Sequence, residues 1–380
     1  MAPSAVEVET APAVTDVTNG VKKLLSADST SSSLKREPLT YSGSLDEYES
    51  FDVTNVIGRE FPHLQLSQIL HDDRKIRDLA ITVSQRGVVF FRNQDLQITD
   101  QKILGQKLGE LTGKPKTSGL HRHALLNGKS LGIKLGENGE ELPDDDEISI
   151  ISSQANRKYY EERYKAASVH LASDGWHADI SFEPIPSDYA ILKIVQPPED
   201  AGGDTLWASG YEAYDRLSPP VKKFAEGLTA THHTPEFAKT AARNGLQLVD
   251  GERGAPENVG LDFAASHPVV RTNPVTGWKS LYGAAGQVRE GYIDDVTPRE
   301  SELLKDYFLS VIANNHDLQV RFRWNKNDLA IWDNRSTFHT ATNDYYGARQ
   351  GNRVVSLGER PYYDPASLSR REALAKEGKR

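Results

Sequence analysis

Two apolar periods divide the chain. In DRKIRDLAITVSQRG, Ile76, Leu79, Ala80 and Val83 recur three and four apart, which puts them on one face of a helix that Gly87 can stop. VVFFR, beginning at Val88, is a short continuous apolar run and predicts a buried strand. Thr99 can cap a second helix through Ile103, Leu104 and Leu108. Beyond residue 186 the texture changes to DYAILKIVQ, GDTLWA, HPVVRTNP, KSLYG, DLAIWDN and RVVSL, short runs bounded by Gly, Pro, Asn or Asp, as strands are. Helices interrupt them: Ser209 can cap one through Tyr214 and Leu217. Thr297-Pro298-Arg299-Glu300 has the form of a capping box opening a helix through Leu304, Phe308 and Val311. Many strands with few peripheral helices predict a mainly β fold with helical cover, a β-sandwich or jelly roll. No internal repeat is apparent.

Up to about residue 40 the chain is rich in Ser, Thr, Ala and Pro, with no aromatic before Tyr41, and is expected to be a disordered tail. Residues 41–380 are expected to form a single domain, carrying a polar insertion or lid at about 119–170 that includes GENGEELPDDDE. Its acidic run reads as a solvated face rather than a cation site.

With 380 residues a sizeable core is available, and the net charge of -9 argues against a nucleic-acid surface. There is no cysteine, which excludes disulfides, zinc-thiolate sites, iron–sulfur clusters and cysteine nucleophiles. Any metal must be held by histidine and oxygen. No secretory leader and no bilayer-spanning run stands out, so a soluble cytoplasmic protein is expected.

In GWHADISFEP, His177 and Asp179 are one residue apart, and on a strand both would point to one face. A second histidine completes a two-histidine, one-carboxylate set, which leaves positions open on Fe(II) for oxygen activation. His339 qualifies: it follows Asp333 in DLAIWDNRSTFHTA and precedes Arg349 and Arg353. The same donor set serves catalytic zinc, so a metal hydrolase is one rival and a non-catalytic binding protein on the same scaffold another. Against the first stand the absence of HExxH and the paired arginines, which a hydrolase would leave without a purpose.

Four blocks in order, WHADISF, GGDTLWAS, HPVVRTNPVTG with KSLY, and IWDNRSTFHTA followed by R-x-x-x-R, have QRGVVFFRNQ upstream. Together they resemble the taurine dioxygenase family of Fe(II)/2-oxoglutarate-dependent dioxygenases over roughly residues 50–362, most nearly its fungal sulfonate-dioxygenase-like branch. The resemblance implies a double-stranded β-helix, a cupin-like jelly-roll core. It implies His177, Asp179 and His339 as iron ligands, with Thr205 and Arg349 on the distal carboxylate of 2-oxoglutarate. Arg353 would lie near the metal-bound co-substrate and the anionic group of the substrate. A guanidinium suits either carboxylate, and the two arginines can exchange roles.

The implied chemistry is O2-dependent oxidation of an aliphatic C–H bond, by hydroxylation, desaturation or cyclisation, with release of succinate and CO2. The expected substrate is a small anion: a sulfonate, a sulfate ester or a carboxylate such as an amino acid. No nucleic-acid or membrane partner is expected, and the oligomeric state, homo-oligomer included, is left open.

On the substrate side, His121 in TSGLH fits the place of a substrate-contacting histidine, and Tyr282 of KSLY is a further candidate. Ser173 stands where taurine enzymes have an asparagine, four residues before the first iron histidine. Gly283 to Gly286 stand where an asparagine and an aromatic are usual. These changes point to a bulkier or more apolar acid than taurine. Trp176 and Trp332 read as core or pocket wall, and Asp333-Asn334-Arg335 as a turn aiming His339 inward. The remaining histidines read as structural or exposed.

Overall fold

The structure, a computed structural model, describes residues 36–125, 146–159 and 171–378. The strands of the first half are β1 (Phe51–Asp52), β2 (Arg59–Phe61), β3 (Val88–Phe91), β4 (Ile148–Ser152), β5 (Ser187–Gln196), β6 (Thr205–Ser209) and β7 (Thr229–His233). Then come β8 (Ala264–Pro268), β9 (Val270–Thr272), β10 (Lys279–Leu281), β11 (Tyr292–Ile293), β12 (Gln319–Phe322), β13 (Leu329–Asp333), β14 (Thr337–Ala341) and β15 (Gln350–Leu357). Three longer helices accompany them: α1 (Asp73–Arg86), α2 (Ile98–Glu110) and α3 (Pro298–Ala313). The largest sheet has the order β1-β2-β3-β13-β5-β15-β4, and a second has β12-β6-β14; of the pairings between these strands among the described residues, only β2–β3 is parallel.

Alternation along the central strands explains their continuous hydrophobicity, because both faces of the large sheet are covered. Val89, Phe91, Ile191, Leu329 and Ile331 pack under α1 and α2 with Leu79, Val83, Leu104 and Leu108. Their neighbours Val88, Phe90, Leu192, Ala330 and Trp332 turn to the other face and share a core with Trp207 of β6 and Phe322 of β12. Trp207 is the hinge of this inner layer, 5.4 Å from Phe90 and 5.8 Å from Trp332 between ring centroids. Burying one such aromatic contributes roughly 4–6 kcal/mol before entropy is counted. Rings from both sheets therefore meet in the layer between them, among aliphatic neighbours.

Local signals mostly translate directly. Helix α1 buries Ile76, Leu79, Ala80 and Val83 and stops at Gly87, whose φ of 75° is open to glycine. Ser209 caps the helix that follows it, and both halves of the Thr297/Glu300 capping box are formed at α3. Thr99 is different: α2 starts one residue before it, Gln97 holds the N-cap position without a side-chain bond, and Ile103 is exposed. HPVVR is not one strand. Pro268 ends β8 on β7, Val269 donates to Leu228 O, and β9 begins on a new partner, β10. Proline has no N–H to extend the first ladder.

Part of the stretch expected as loop is strand. ISIIS forms β4 against β15, opposite Arg353 among others, followed by a short helix at Ser153–Tyr159. Its apolar run is brief and its neighbours acidic, so periodicity gave no warning. Most of GENGEELPDDDE, with residues 160–170, lies outside the described residues. At the other boundary, residues 1–35 also lie outside them, but Leu39 is already tied in, donating to Val275 O at 2.8 Å. No helix among the described residues is long and apolar enough to cross a membrane.

Candidate metal centre

His177 does not belong to a strand. It makes a single antiparallel bridge to His339 of β14, each N–H donating to the other's carbonyl at 3.0 and 2.8 Å. The imidazoles consequently face one another, 4.2 Å apart between centroids. His177 Nδ1 lies 2.9 Å from Gly175 O, which leaves Nε2 for the centre. Behind the ring runs Gly286, at φ 57°; a Cβ there would come within 2.5 Å of His177 Cβ. Only glycine lets this segment lie so close.

After His177 the chain turns at once, so Asp179 reaches the centre from a turn and not from the strand face expected for it. Ile180 takes φ 62°, a conformation β-branched residues avoid. The turn is held by Asn334: Asp179 N–H donates to Asn334 Oδ1 at 3.0 Å, Trp332 Nε1 donates to the same oxygen at 3.0 Å, and Asn334 Nδ2 donates to Ser187 Oγ at 2.9 Å. Asp333 beside it is fully buried and paired with Arg335 at 2.8 Å. The Asp-Asn-Arg turn thus anchors Asp179 as well as His339.

Asp179 Oδ1 lies 3.9 Å from His177 Nε2, and Oδ2 lies 3.7 Å from His339 Nε2. One ligand atom from each of the three residues falls within 4.8 Å of the others. Ligands about 2.1 Å from one ion stand roughly 3 to 3.5 Å apart, so a slight contraction would close this set on a metal. Burial alone would raise the Asp179 carboxyl, but Arg353, His339 and His177 outweigh it and hold it below its usual value. Burial, and then the neighbouring His177, push His339 down to about 3. An ionised carboxylate with a neutral imidazole is the state that binds metal.

The two arginines are four residues apart, but only Arg353 lies on β15; Arg349 precedes the strand, whose register shifts between Gln350 and Gly351. Arg353 reaches the triad, donating from Nη1 to Asp179 Oδ1 at 2.5 Å. Arg349 lies instead against the GGDT segment, with Nε donating to Gly203 O at 3.0 Å. Gly203 has φ 70°, and a Cβ on it would be 2.9 Å from Arg349 Cδ. Gly203 makes room for this arginine, while Gly202 lies against Asp344. Thr205, two residues on and buried, accepts from Trp324 Nε1 at 3.0 Å.

His121 is buried beside the centre, its Nε2 3.8 Å from Glu183 Oε1. Glu183 is itself gripped by Arg253 through two bonds of 2.6 and 2.9 Å. Burial pushes His121 down, so it is neutral. Ser173 lies in the short turn Ala172–Gly175 that leads into His177. Tyr282 is turned to other partners: its ring packs on His232, His267 and the Arg271 guanidinium. Trp332 does wall the centre, 5.0 Å from the His339 ring, whereas Trp176 belongs to a separate core cluster. Asn334, Gly286 and the Glu183–Arg253 pair had no signal in spacing, since each acts on a partner remote in sequence.

A two-histidine, one-carboxylate centre at the junction of two β-sheets, with an arginine on its carboxylate and a second beyond, has the donor set of a non-haem iron oxygenase. The chain belongs to the taurine catabolism dioxygenase TauD, TfdA family, whose sequence model it matches over residues 49–356. It is 49% identical to the alpha-ketoglutarate-dependent dioxygenase btcD of Neocamarosporium betae, over 90% of this chain and 99% of that one. It is 32% identical to the alpha-ketoglutarate-dependent sulfonate dioxygenase of Saccharomyces cerevisiae, over 82% and 67%. Among solved structures, a taurine dioxygenase from Burkholderia xenovorans superposes with a TM-score of 0.61 at 25% identity, covering 84% of this chain and 92% of that one. The protein is therefore a 2-oxoglutarate-dependent dioxygenase, an oxidoreductase that uses Fe(II), 2-oxoglutarate and O2.

Proposed function

We propose that His177, Asp179 and His339 hold the Fe(II), that Arg349 and Thr205 receive the distal carboxylate of 2-oxoglutarate, and that Arg353 meets the anionic group of a small organic acid. The carrying observation is the placement of the two guanidiniums, one on Asp179 and one against the GGDT segment. When bound, the metal with 2-oxoglutarate and O2 supplies the oxidising power for an aliphatic C–H bond, yielding succinate and CO2.

The chain's own residues do the rest. Arg349 offers a fixed fork to a carboxylate and so sets the co-substrate's reach toward the metal. Neutral His339 and ionised Asp179 present lone pairs without first losing a proton. Trp332 and Trp207 exclude water and other reductants from behind the centre. His121, neutral and backed by Glu183, faces the substrate side, together with the turn that carries Ser173. Residues 283–286 lack the polar and aromatic side chains usual there, which favours an acid bulkier or more apolar than taurine, including an amino acid. The relative named as a sulfonate dioxygenase favours a second reading, oxidative cleavage of a sulfonate or sulfate ester. We also read the two facing sheets as a double-stranded β-helix, supported by their shared aromatic core, and place the enzyme in the cytoplasm.

Anaerobic Fe(II) followed by 2-oxoglutarate should give a weak visible charge-transfer band that His177→Ala abolishes. A screen of sulfonates, sulfate esters and amino acids should find one that drives succinate release. No band from folded wild-type protein would sink the assignment of the site.

A further inference from the structure

We infer that Asp179 is a pre-set one-oxygen ligand: Asn334 fixes its backbone, Arg353 occupies Oδ1, and Oδ2 alone is left for the ion. The inference rests on the metal assignment above but concerns residues that do not themselves touch the metal. Three observations carry it.

The first is the division of labour between the two oxygens. Arg353 Nη1 takes Oδ1 at 2.5 Å, while Oδ2 is buried with no hydrogen-bond partner and points toward His339 Nε2 at 3.7 Å. A buried carboxylate oxygen left unpaired costs several kcal/mol unless something else is to fill it. The second is the backbone. Ile180 holds a positive φ immediately after Asp179, and the only group bonded to Asp179 N–H is the side-chain oxygen of Asn334. Strain of this kind persists where its surroundings over-determine it. The third is the anchoring of Asn334 itself, which is 1% exposed and uses its amide on both the Trp332 indole and Ser187. The clamp therefore ties the Asp179 turn to β13 and to the start of β5.

Arg353 then has two duties, orienting a metal ligand and receiving an anion. The first duty operates with no substrate present. That separates it from an arginine that acts on substrate alone, whose loss would leave the affinity for metal unchanged.

The test is calorimetric titration of the metal-free protein with Mn(II), without 2-oxoglutarate or substrate, beside thermal unfolding of the same samples. Outer residues that orient a metal ligand typically contribute 10–100-fold in affinity. Arg353→Gln and Asn334→Ala should each weaken Mn(II) binding by about that factor. Arg353→Lys, which keeps a donor and a charge, should recover part of the loss. Arg353 lies at the rim with 14% of its side chain exposed, so its variants test the clamp even if Asn334→Ala does not fold. Wild-type Mn(II) affinity in Arg353→Gln would overturn the clamp while leaving the iron assignment intact. Equal affinity in wild type and His177→Ala would remove the assignment, and the clamp with it.

Discussion

Asp333 sits at the centre of the turn that carries both Asn334 and, six residues on, His339, and its removal is the most informative single perturbation of the scaffold. Its Oδ1 accepts from Arg335 N at 2.9 Å and Arg335 Nε at 2.8 Å. Its Oδ2 accepts from Arg335 Nη2 at 2.8 Å, Ser84 Oγ at 2.7 Å and Asn273 Nδ2 at 2.9 Å. Neither member of the pair is more than 2% exposed. Burial works to raise the carboxyl, but Arg335 and the donor ring outweigh it and hold it below its usual value. A carboxylate depressed in this way contributes stability above its unfolded pKa of about 3.9 and loses it as pH falls through the folded value.

At pH 7 Asp333→Asn therefore forfeits the whole contribution and leaves a buried guanidinium whose remaining anionic neighbour, Glu359, is 3.7 Å away. Breaking one side of such a pair costs about 3–5 kcal/mol. Urea unfolding at pH 7 should show that loss with an unchanged slope. The double variant D333N/R335M, which removes the stranded charge, should regain at least about 1 kcal/mol over D333N. A D333N loss below about 1 kcal/mol, or a double variant no more stable than the single, would refute the claim that this pair holds the turn.

Other outcomes follow from the same geometry. Gly286→Ala puts a methyl against His177 at a positive φ, so it should cost about 1–3 kcal/mol and weaken Mn(II) binding at least tenfold; unchanged affinity would mean the 283–286 segment yields freely. Arg349→Gln removes a two-bond grip on a carboxylate and should raise the KM for 2-oxoglutarate by roughly 100-fold or more, with Mn(II) affinity in its absence unchanged. A KM within threefold of wild type would return that carboxylate to Arg353. His267 and His339 are each pushed down to about 3 by burial first, with neighbouring positive charge adding to it. The unfolded chain takes up protons near pH 6.5 where the folded one does not, so stability should fall as pH drops from about 6.5 toward 3. A melting temperature flat between pH 7 and 5 would contradict neutral buried histidines.

Local order along the chain determined a good deal. Apolar spacing and Gly87 specified α1, the capping box specified α3, and the continuous apolar runs marked the strands whose two faces are both covered. The WHADISF and IWDNRSTFHTA blocks carried the three proposed ligand residues, and R-x-x-x-R carried both arginines. Those features are legible because each depends on residues within a turn or two of one another.

What tertiary structure alone decided is where remote groups meet. Spacing allowed the two arginines to exchange places, and the fold separates them because Arg353 lies within β15 at the triad while Arg349 stands just before that strand, against Gly203. Asp179 was expected on a strand, and the chain turns there instead because Asn334, 155 residues away, captures its N–H. Tyr282 was drawn from the substrate side by the buried pair His232 and His267 and by Arg271. Such choices are made by packing and by the need to satisfy buried polar atoms, neither of which has a period that a sequence displays.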